Sequence, residues 1–72
     1  MDKIVADFGY FIKERRIQKG FSQAEMAKRL GISQQSYCRY ELGKREAGLQ
    51  MILDIARILD FEPGEFFDNY SD

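Results

Sequence analysis

Three glycines divide the first part of the chain into stretches with the length and periodicity of helices. Gly20, Gly31 and Gly43 each follow a periodic apolar stretch, which is where helices commonly end. Ser22 and Ser33 each come two residues after a glycine and are favourable helix N-caps. The spacing predicts short helices joined by tight turns, and no stretch is a convincing β-strand.

This pattern predicts an all-α fold, a bundle of five helices within one domain over residues 1–72. The predicted helices run from Asp2 or Lys3 to Lys19, from Ser22 to Leu30, from Gln34 to about Leu42, from near Gly48 to Leu59, and from Pro63 through Phe67. The inward-facing stripes are predicted to be Val5, Phe8, Ile12 and Arg15 or Arg16 on the first helix, and Leu49, Ile52, Ile55, Ala56 and Leu59 on the fourth.

The second helix begins with the pattern of a capping box. The Ser22 hydroxyl is predicted to accept a hydrogen bond from the amide of Glu25, while the Glu25 carboxylate accepts one from the amide of Ser22. Phe21 and Met26 have the spacing of a hydrophobic staple across this cap. Both features place the start of the helix at Ser22.

Only Gly31 and Ile32 separate the end of this helix from the Ser33 cap of the next one. Two short helices joined by such a turn are the kernel of a helix-turn-helix, and the small Ala27 lets the two helices cross closely. An ordinary helical hairpin has the same local features, so this pattern alone leaves both interpretations open.

A chain of 72 residues usually needs a disulfide, a metal site or very regular helix packing to stay folded. Cys38 is the only cysteine and there is no histidine, which excludes an internal disulfide and argues against a zinc site. No apolar run has the length of a membrane span, and the start lacks a signal-peptide pattern. We therefore expect a cytoplasmic protein without metal or cofactor, held together by helix packing and by dimerisation.

The formal net charge of −1 hides a strong division along the chain. Residues 13–45 hold nine Lys or Arg and three acidic residues, whereas residues 46–72 hold seven acidic residues and only Arg57. A chain divided in this way can present a basic face to phosphates and turn an acidic end away from them. A solubilising mixture of charges fits the same composition.

The residues from Arg16 to Ser36, followed by Tyr40-Glu41-Leu42-Gly43-Lys44, resemble the phage-repressor and Cro-like helix-turn-helix family. The resemblance extends from about Phe8 to Phe67 and is closest to lambdoid phage repressors, which also carry paired glutamines at the start of the recognition helix. It implies a lambda-repressor-like DNA-binding fold with the helix-turn-helix at about residues 22–42. The implied function is sequence-specific transcription regulation on double-stranded DNA, by a repressor that acts as a homodimer.

The resemblance also implies which side chains meet DNA. Gln34, Gln35 and Arg39 are the expected base contacts, because glutamine can both donate to and accept from an adenine edge and arginine can donate to guanine. The expected phosphate contacts are Gln23, Ser33, Ser36, Lys44 and Arg45. The alternative is that the two glutamines are ordinary surface residues that contact only solvent.

Other positions carry structural expectations. Arg16 and Glu41 match family positions that form a buried ion pair, with surface charges as the alternative. Tyr37 and Tyr40 are expected in the core, although the family usually has an aliphatic residue at the position of Tyr37. Cys38 is expected on the exposed flank of the recognition helix, as an unreactive thiol rather than a redox sensor.

The expected dimer surface lies at the loop before the last helix and at that helix itself. Its candidate residues are Ile58, Phe61, Pro63, Phe67 and Tyr70, with Phe61 also a candidate for the core and Met51 as a possible extension. The alternative function is an antitoxin-like protein-interaction module with secondary DNA binding. We find no catalytic set, so an enzyme is not expected.

Overall fold

The computed structural model describes residues 2–70 and consists of five helices, which confirms the all-α prediction. The helices are α1 (Lys3–Lys19), α2 (Gln23–Leu30), α3 (Gln34–Glu41), α4 (Leu49–Leu59) and α5 (Gly64–Phe67). The predicted boundaries agree to within a residue or two, and Leu42 and Pro63 are caps rather than helical residues. None of these helices has the length and apolarity that crossing a membrane requires.

All five helices and the loop before α5 contribute to one buried core. Its fully or nearly fully buried members are Phe8, Ile12, Met26, Ala27, Tyr37, Tyr40, Ile55, Ala56, Leu59, Phe61 and Phe66. The predictions for Tyr37 and Tyr40 are confirmed, since the two side chains are 0% and 7% exposed. Because the last helix has only four residues, burial of Phe66 rather than helix propensity must hold it in place.

Two of the predicted inward-facing positions do not belong to the core. Leu49 is 79% exposed, and Val5 is only half-buried. A helix turns once in about 3.6 residues, so Leu49 and Leu53 lie on the flank of the stripe that holds Ile52 and Ile55. Apolar spacing alone did not distinguish this flank from the buried stripe.

Of the two hydrogen bonds predicted for the cap of α2, one forms as predicted and the other is replaced. The Ser22 hydroxyl accepts a hydrogen bond from the Glu25 amide at 3.0 Å, as predicted. The Glu25 carboxylate does not return to the amide of Ser22 but accepts a hydrogen bond from Arg29 at 3.0 Å, one turn along the helix. The Arg29 guanidinium also lies 4.4 Å from the centroid of the Phe21 ring. In this position Arg29 binds the carboxylate that would otherwise complete the capping box.

A close approach between α1 and α3 depends on Gly9. A Cβ atom at this position would lie 2.4 Å from the carbonyl oxygen of Glu41 and 2.5 Å from that of Tyr40. Glycine inside a helix costs stability, and here it allows α1 to pack directly on the carbonyl end of α3. The contact fixes where α3 sits relative to the rest of the bundle.

Aromatic rings join the last helix to α1. Phe66 packs on Phe8 at 5.3 Å and on Phe11 at 5.4 Å between ring centroids, and Phe61 packs edge-on against Phe11 at 5.0 Å. Phe61 is 6% exposed, so its role in the core is confirmed while little of its side chain remains for the predicted dimer surface. Phe61 is buried because the ring of Phe11 packs against it.

Candidate nucleic-acid interface

The turn between α2 and α3 has the geometry of a helix-turn-helix. Gly31 adopts a left-handed conformation with φ of 73°, and open space surrounds the position where its Cβ would be, so glycine is needed for the backbone angle alone. The amide of Ile32 donates to the carbonyl of Ala27 at 3.0 Å and closes the end of α2. Ala27 is 3% exposed, which is consistent with the close crossing predicted from its size.

The first turn of α3 presents two uncommitted amide side chains to solvent. Gln34 and Gln35 are exposed, and neither forms a side-chain hydrogen bond within residues 2–70. The Ser33 hydroxyl caps the helix by accepting from the amide of Ser36 at 3.1 Å. The turn is thus held by the two serines, and both glutamines remain available for a ligand.

Arg39 extends the same face by one further helical turn. It is exposed, stands four residues after Gln35, and has no carboxylate within 4.0 Å in the part of the chain that the structure describes. The face therefore carries amide donors and acceptors followed by a guanidinium. These are the groups that hydrogen-bond to the edges of base pairs.

The other serine and glutamine side chains of the predicted site already form hydrogen bonds within the protein. Ser33 donates its hydroxyl to Ser36 at 3.0 Å, and Ser36 is half-buried. The Gln23 amide donates to Glu41 Oε1 at 2.9 Å, which ties the start of α2 to the end of α3. Sequence reasoning placed Gln23 at the site but missed this bond.

A buried ion pair locks α3 to α1, as the family resemblance implies. Arg16 Nε donates to Glu41 Oε2 at 2.6 Å and Arg16 Nη2 to Glu41 Oε1 at 3.2 Å. The two residues are 9% and 6% exposed, and Arg16 also donates to the Phe21 carbonyl at 2.8 Å. The pair therefore connects α1, the turn before α2, and α3.

The environment of this pair favours its charged form. Burial alone would raise the pKa of Glu41, but the hydrogen bonds from Arg16 and Gln23 hold that pKa below its ordinary value. The hydrogen bond to Glu41 raises the pKa of Arg16, and burial raises the pKa of Tyr37. The Tyr37 hydroxyl is fully buried and lies beside the pair without a well-formed hydrogen bond of its own.

The segment after α3 carries two more of the predicted contacts. Lys44 is exposed, and its amide donates to the Arg39 carbonyl at 2.9 Å. Arg45 is also exposed, and its guanidinium lies 5.4 Å from the centroid of the Tyr40 ring. Both cations thus stand at the end of α3.

The division of charge seen in the sequence is also a division in space. Acidic residues near the C-terminal end bind basic residues of α1, through the pairs Arg15–Glu65 and Lys19–Asp60, the second at 3.6 Å. Arg39, Lys44 and Arg45 have no such pair within residues 2–70. Positive charge is therefore concentrated around α3.

Cys38 lies on α3 but is half-buried, not on the exposed flank that the sequence suggested.

The residues of the predicted dimer surface are also less exposed than expected. Ile58, Pro63 and Tyr70 are half-buried and Phe67 is 39% exposed.

A sequence profile of the family described as helix-turn-helix matches residues 12–66. The chain belongs to the helix-turn-helix family. It is 44% identical over 52 residues to a Bacillus subtilis (strain 168) protein, the SPbeta prophage-derived uncharacterized HTH-type transcriptional regulator YonR, with 72% of this chain and 48% of the relative covered. It is 42% identical over 53 residues to the uncharacterized HTH-type transcriptional regulator YqaE of the same organism, with 74% and 46% covered.

A solved structure shares the fold of this chain over nearly the whole length of the solved protein. The restriction-modification controller protein C.AhdI from Aeromonas hydrophila superposes with a TM-score of 0.80 and 36% identity, covering 88% of this chain and 96% of that protein. The helix-turn-helix chain spans about half the length of the two Bacillus relatives.

Proposed function

We propose that this helix-turn-helix chain regulates transcription by binding a specific double-stranded DNA sequence, and that it acts as a repressor. The observation that carries the proposal is the first turn of α3, where Gln34 and Gln35 stand exposed and uncommitted on a helix locked into the bundle by Glu41. A recognition helix needs this combination, because base contacts specify a sequence only when the helix is rigidly placed.

In this proposal the residues of α3 read the major groove. Gln34 and Gln35 hydrogen-bond to base edges, for which the N6 and N7 atoms of adenine are the best match. Arg39 reaches a guanine or a phosphate further along the same groove. Because α3 is short, one copy contacts only a few base pairs.

The surrounding polar groups position the helix on the backbone. The proposed phosphate contacts are Gln23, Ser33, Ser36, Lys44 and Arg45. Gln23 stands at the start of α2, where free helix amides favour an anion, and its bond to Glu41 links that contact to α3. Lys44 and Arg45 add charge at the end of α3 and carry no sequence information themselves.

The chain is proposed to act as a homodimer in the cytoplasm. Two copies can read two half-sites about 34 Å apart, one helical turn of DNA, and so reach an affinity that a single short helix does not supply. Repression then follows from occupation of a promoter by the dimer.

Selection of bound duplexes from a random DNA library tests the proposal. We expect an enriched sequence with two related half-sites, and footprinting should show protection of both. Enrichment of no sequence over the starting library, at a salt concentration that suppresses non-specific binding, would contradict it.

A further inference from the structure

One large apolar side chain lies on the face of α3 that is proposed to meet DNA. Leu42 is 54% exposed and caps the C-terminal end of α3. It is one of six large hydrophobic side chains that the described residues expose, and the other five lie on α1, α4 and α5. The proposed base and phosphate contacts are all polar or charged, so none of them accounts for Leu42.

The backbone places Leu42 in line with the side chains proposed to read bases. Its conformation is right-handed helical, and its amide donates to the Cys38 carbonyl at 3.0 Å, so the helical repeat continues through Leu42. Leu42 stands seven residues after Gln35 and three after Arg39, which is close to two turns and to one turn of a helix. Gln35, Arg39 and Leu42 therefore form one stripe along α3.

Cys38 extends the apolar surface of Leu42. It stands four residues before Leu42 and is half-buried, and a free thiol behaves as a small apolar group. Helical side chains lean toward the N-terminus of their helix, so Leu42 covers the turn that holds Cys38 and Arg39. An apolar patch of Leu42 and Cys38 thus adjoins the Arg39 guanidinium.

The charges around this patch favour an anionic partner. Arg39, Lys44 and Arg45 are exposed, and no carboxylate lies within 4.0 Å of their charged groups in residues 2–70. The acidic neighbour of Leu42, Glu41, is buried and paired with Arg16. Duplex DNA matches both properties, because phosphates flank its major groove and the methyl group of thymine projects into that groove.

We propose that Leu42 reads thymine through its C5-methyl group, at a base pair next to the one that Arg39 contacts. The proposal rests on the proposed function and adds to it a contact that distinguishes bases by apolar packing instead of hydrogen bonding. Leu42 and Cys38 exclude water from the methyl group, whereas a base without this methyl leaves part of the leucine surface in water.

The contact gives the C-terminal half of α3 its own part in sequence recognition. Arg39 donates to a guanine, and Leu42 packs on the methyl group of the neighbouring thymine. Two adjacent base pairs are thus specified by one charged and one apolar side chain. The selected DNA site should therefore contain a thymine beside a guanine in each half-site.

The test removes the methyl group and changes nothing else in the DNA. Each thymine of the selected duplex is replaced in turn by deoxyuridine, which lacks only the C5-methyl group, and competition binding measures the affinity. Wild-type affinity should fall about fourfold at one thymine in each half-site, because burial of one methyl-sized group contributes about 0.8 kcal/mol. Leu42→Ala should bind the thymine and deoxyuridine duplexes equally at that position.

Two further variants separate a specific contact from a general loss of apolar surface. Ile17→Ala is the matched control, because Ile17 lies on α1 and is 53% exposed, close to the 54% of Leu42. It should retain the fourfold loss at deoxyuridine. Leu42→Met keeps an apolar side chain at the same place and should retain most of that loss. Circular dichroism with thermal unfolding checks that each variant is folded.

The proposal is overturned if the wild type tolerates deoxyuridine at every thymine of the selected duplex, or if that duplex holds no thymine in its half-sites. It is also overturned if Leu42→Ala still loses affinity at the same deoxyuridine, since another residue would then read the methyl group. These results leave the proposed function intact, because a sequence is still selected. If the library yields no selected sequence, the proposed function fails and this contact fails with it.

Discussion

At the scale of single residues, the most informative positions are the two glutamines of α3. Their side chains are exposed and hydrogen-bond to nothing within residues 2–70, so the fold gains little from them. We expect Gln34→Ala or Gln35→Ala to weaken binding to the selected site by about 1–3 kcal/mol and to relax specificity at single base positions. Competition binding with single-base variants of the site measures both effects. Equal weakening on random DNA would show that the glutamines do not read bases.

Glu41 has the opposite role, because it acts inside the protein. Glu41→Ala leaves the Arg16 guanidinium buried without its carboxylate, and we expect it to lower the free energy of unfolding by roughly 3 kcal/mol or more. A denaturant titration measures the change. A loss below about 1 kcal/mol would mean that the pair contributes only as much as an exposed pair.

The same residue predicts how acid affects stability. The pKa of Glu41 is lowered in the folded state, so its contribution is fully present above the ordinary glutamate pKa and is lost as pH falls through the lowered value. Unfolding titrations at a series of pH values should therefore show a steeper acid loss for the wild type than for Glu41→Gln. Parallel curves would place the acid sensitivity elsewhere.

At the scale of helices, the position of α3 depends on how closely α1 approaches it. Gly9→Ala puts a Cβ against the carbonyl oxygens of Tyr40 and Glu41, and these backbone atoms cannot move aside without shifting the helix. We expect a loss of about 1–3 kcal/mol in the free energy of unfolding, although alanine is the better helix former. Thermal unfolding measures it, with Gly48→Ala for comparison at the N-cap of α4, where a Cβ meets open space and only the poorer capping by alanine should cost stability. Equal losses in the two variants would contradict a specific contact at Gly9.

The helices themselves could be predicted from the sequence, because their ends are set locally. Gly31 and the caps at Ser22 and Ser33 fix the turn through bonds that span five residues or fewer. Gly9 and Leu49 could not be placed in this way. Their environments depend on which distant elements approach them, and a helical repeat does not report that.

The candidate site shows the same limit. Gln34, Gln35 and Arg39 follow from the position of α3, so the sequence and the family resemblance were sufficient to place them on one exposed face. The bond from Gln23 to Glu41 joins residues 18 apart in the chain, and spacing gave no sign of it. Burial of Phe61 likewise depends on Phe11, 50 residues before it.

At the scale of the whole molecule, the arrangement of charge matters more than its sum. The acidic C-terminal end neutralises Arg15 and Lys19 of α1, while Arg39, Lys44 and Arg45 stay free of carboxylates within the described part of the chain. A protein with a net charge of −1 can therefore present a positive surface to DNA. Because the screening length is about 8 Å at physiological salt, acidic side chains that lie further than this from a phosphate repel it only weakly.

This arrangement predicts how salt changes DNA binding. Lys44→Ala removes one proposed phosphate contact, so it should weaken all DNA sequences similarly and reduce the slope of log affinity against log salt by about 1. Arg57→Ala is the matched control, since it removes the same unit of charge from α4, where Arg57 is paired with Asp54. Titrations of the selected duplex and a random duplex over a series of salt concentrations measure both slopes. If the two variants reduced the slope equally, net charge rather than a contact at the end of α3 would govern binding. If only Lys44→Ala reduced it, and did so on both duplexes, Lys44 would be a backbone contact that leaves base reading to Gln34 and Gln35.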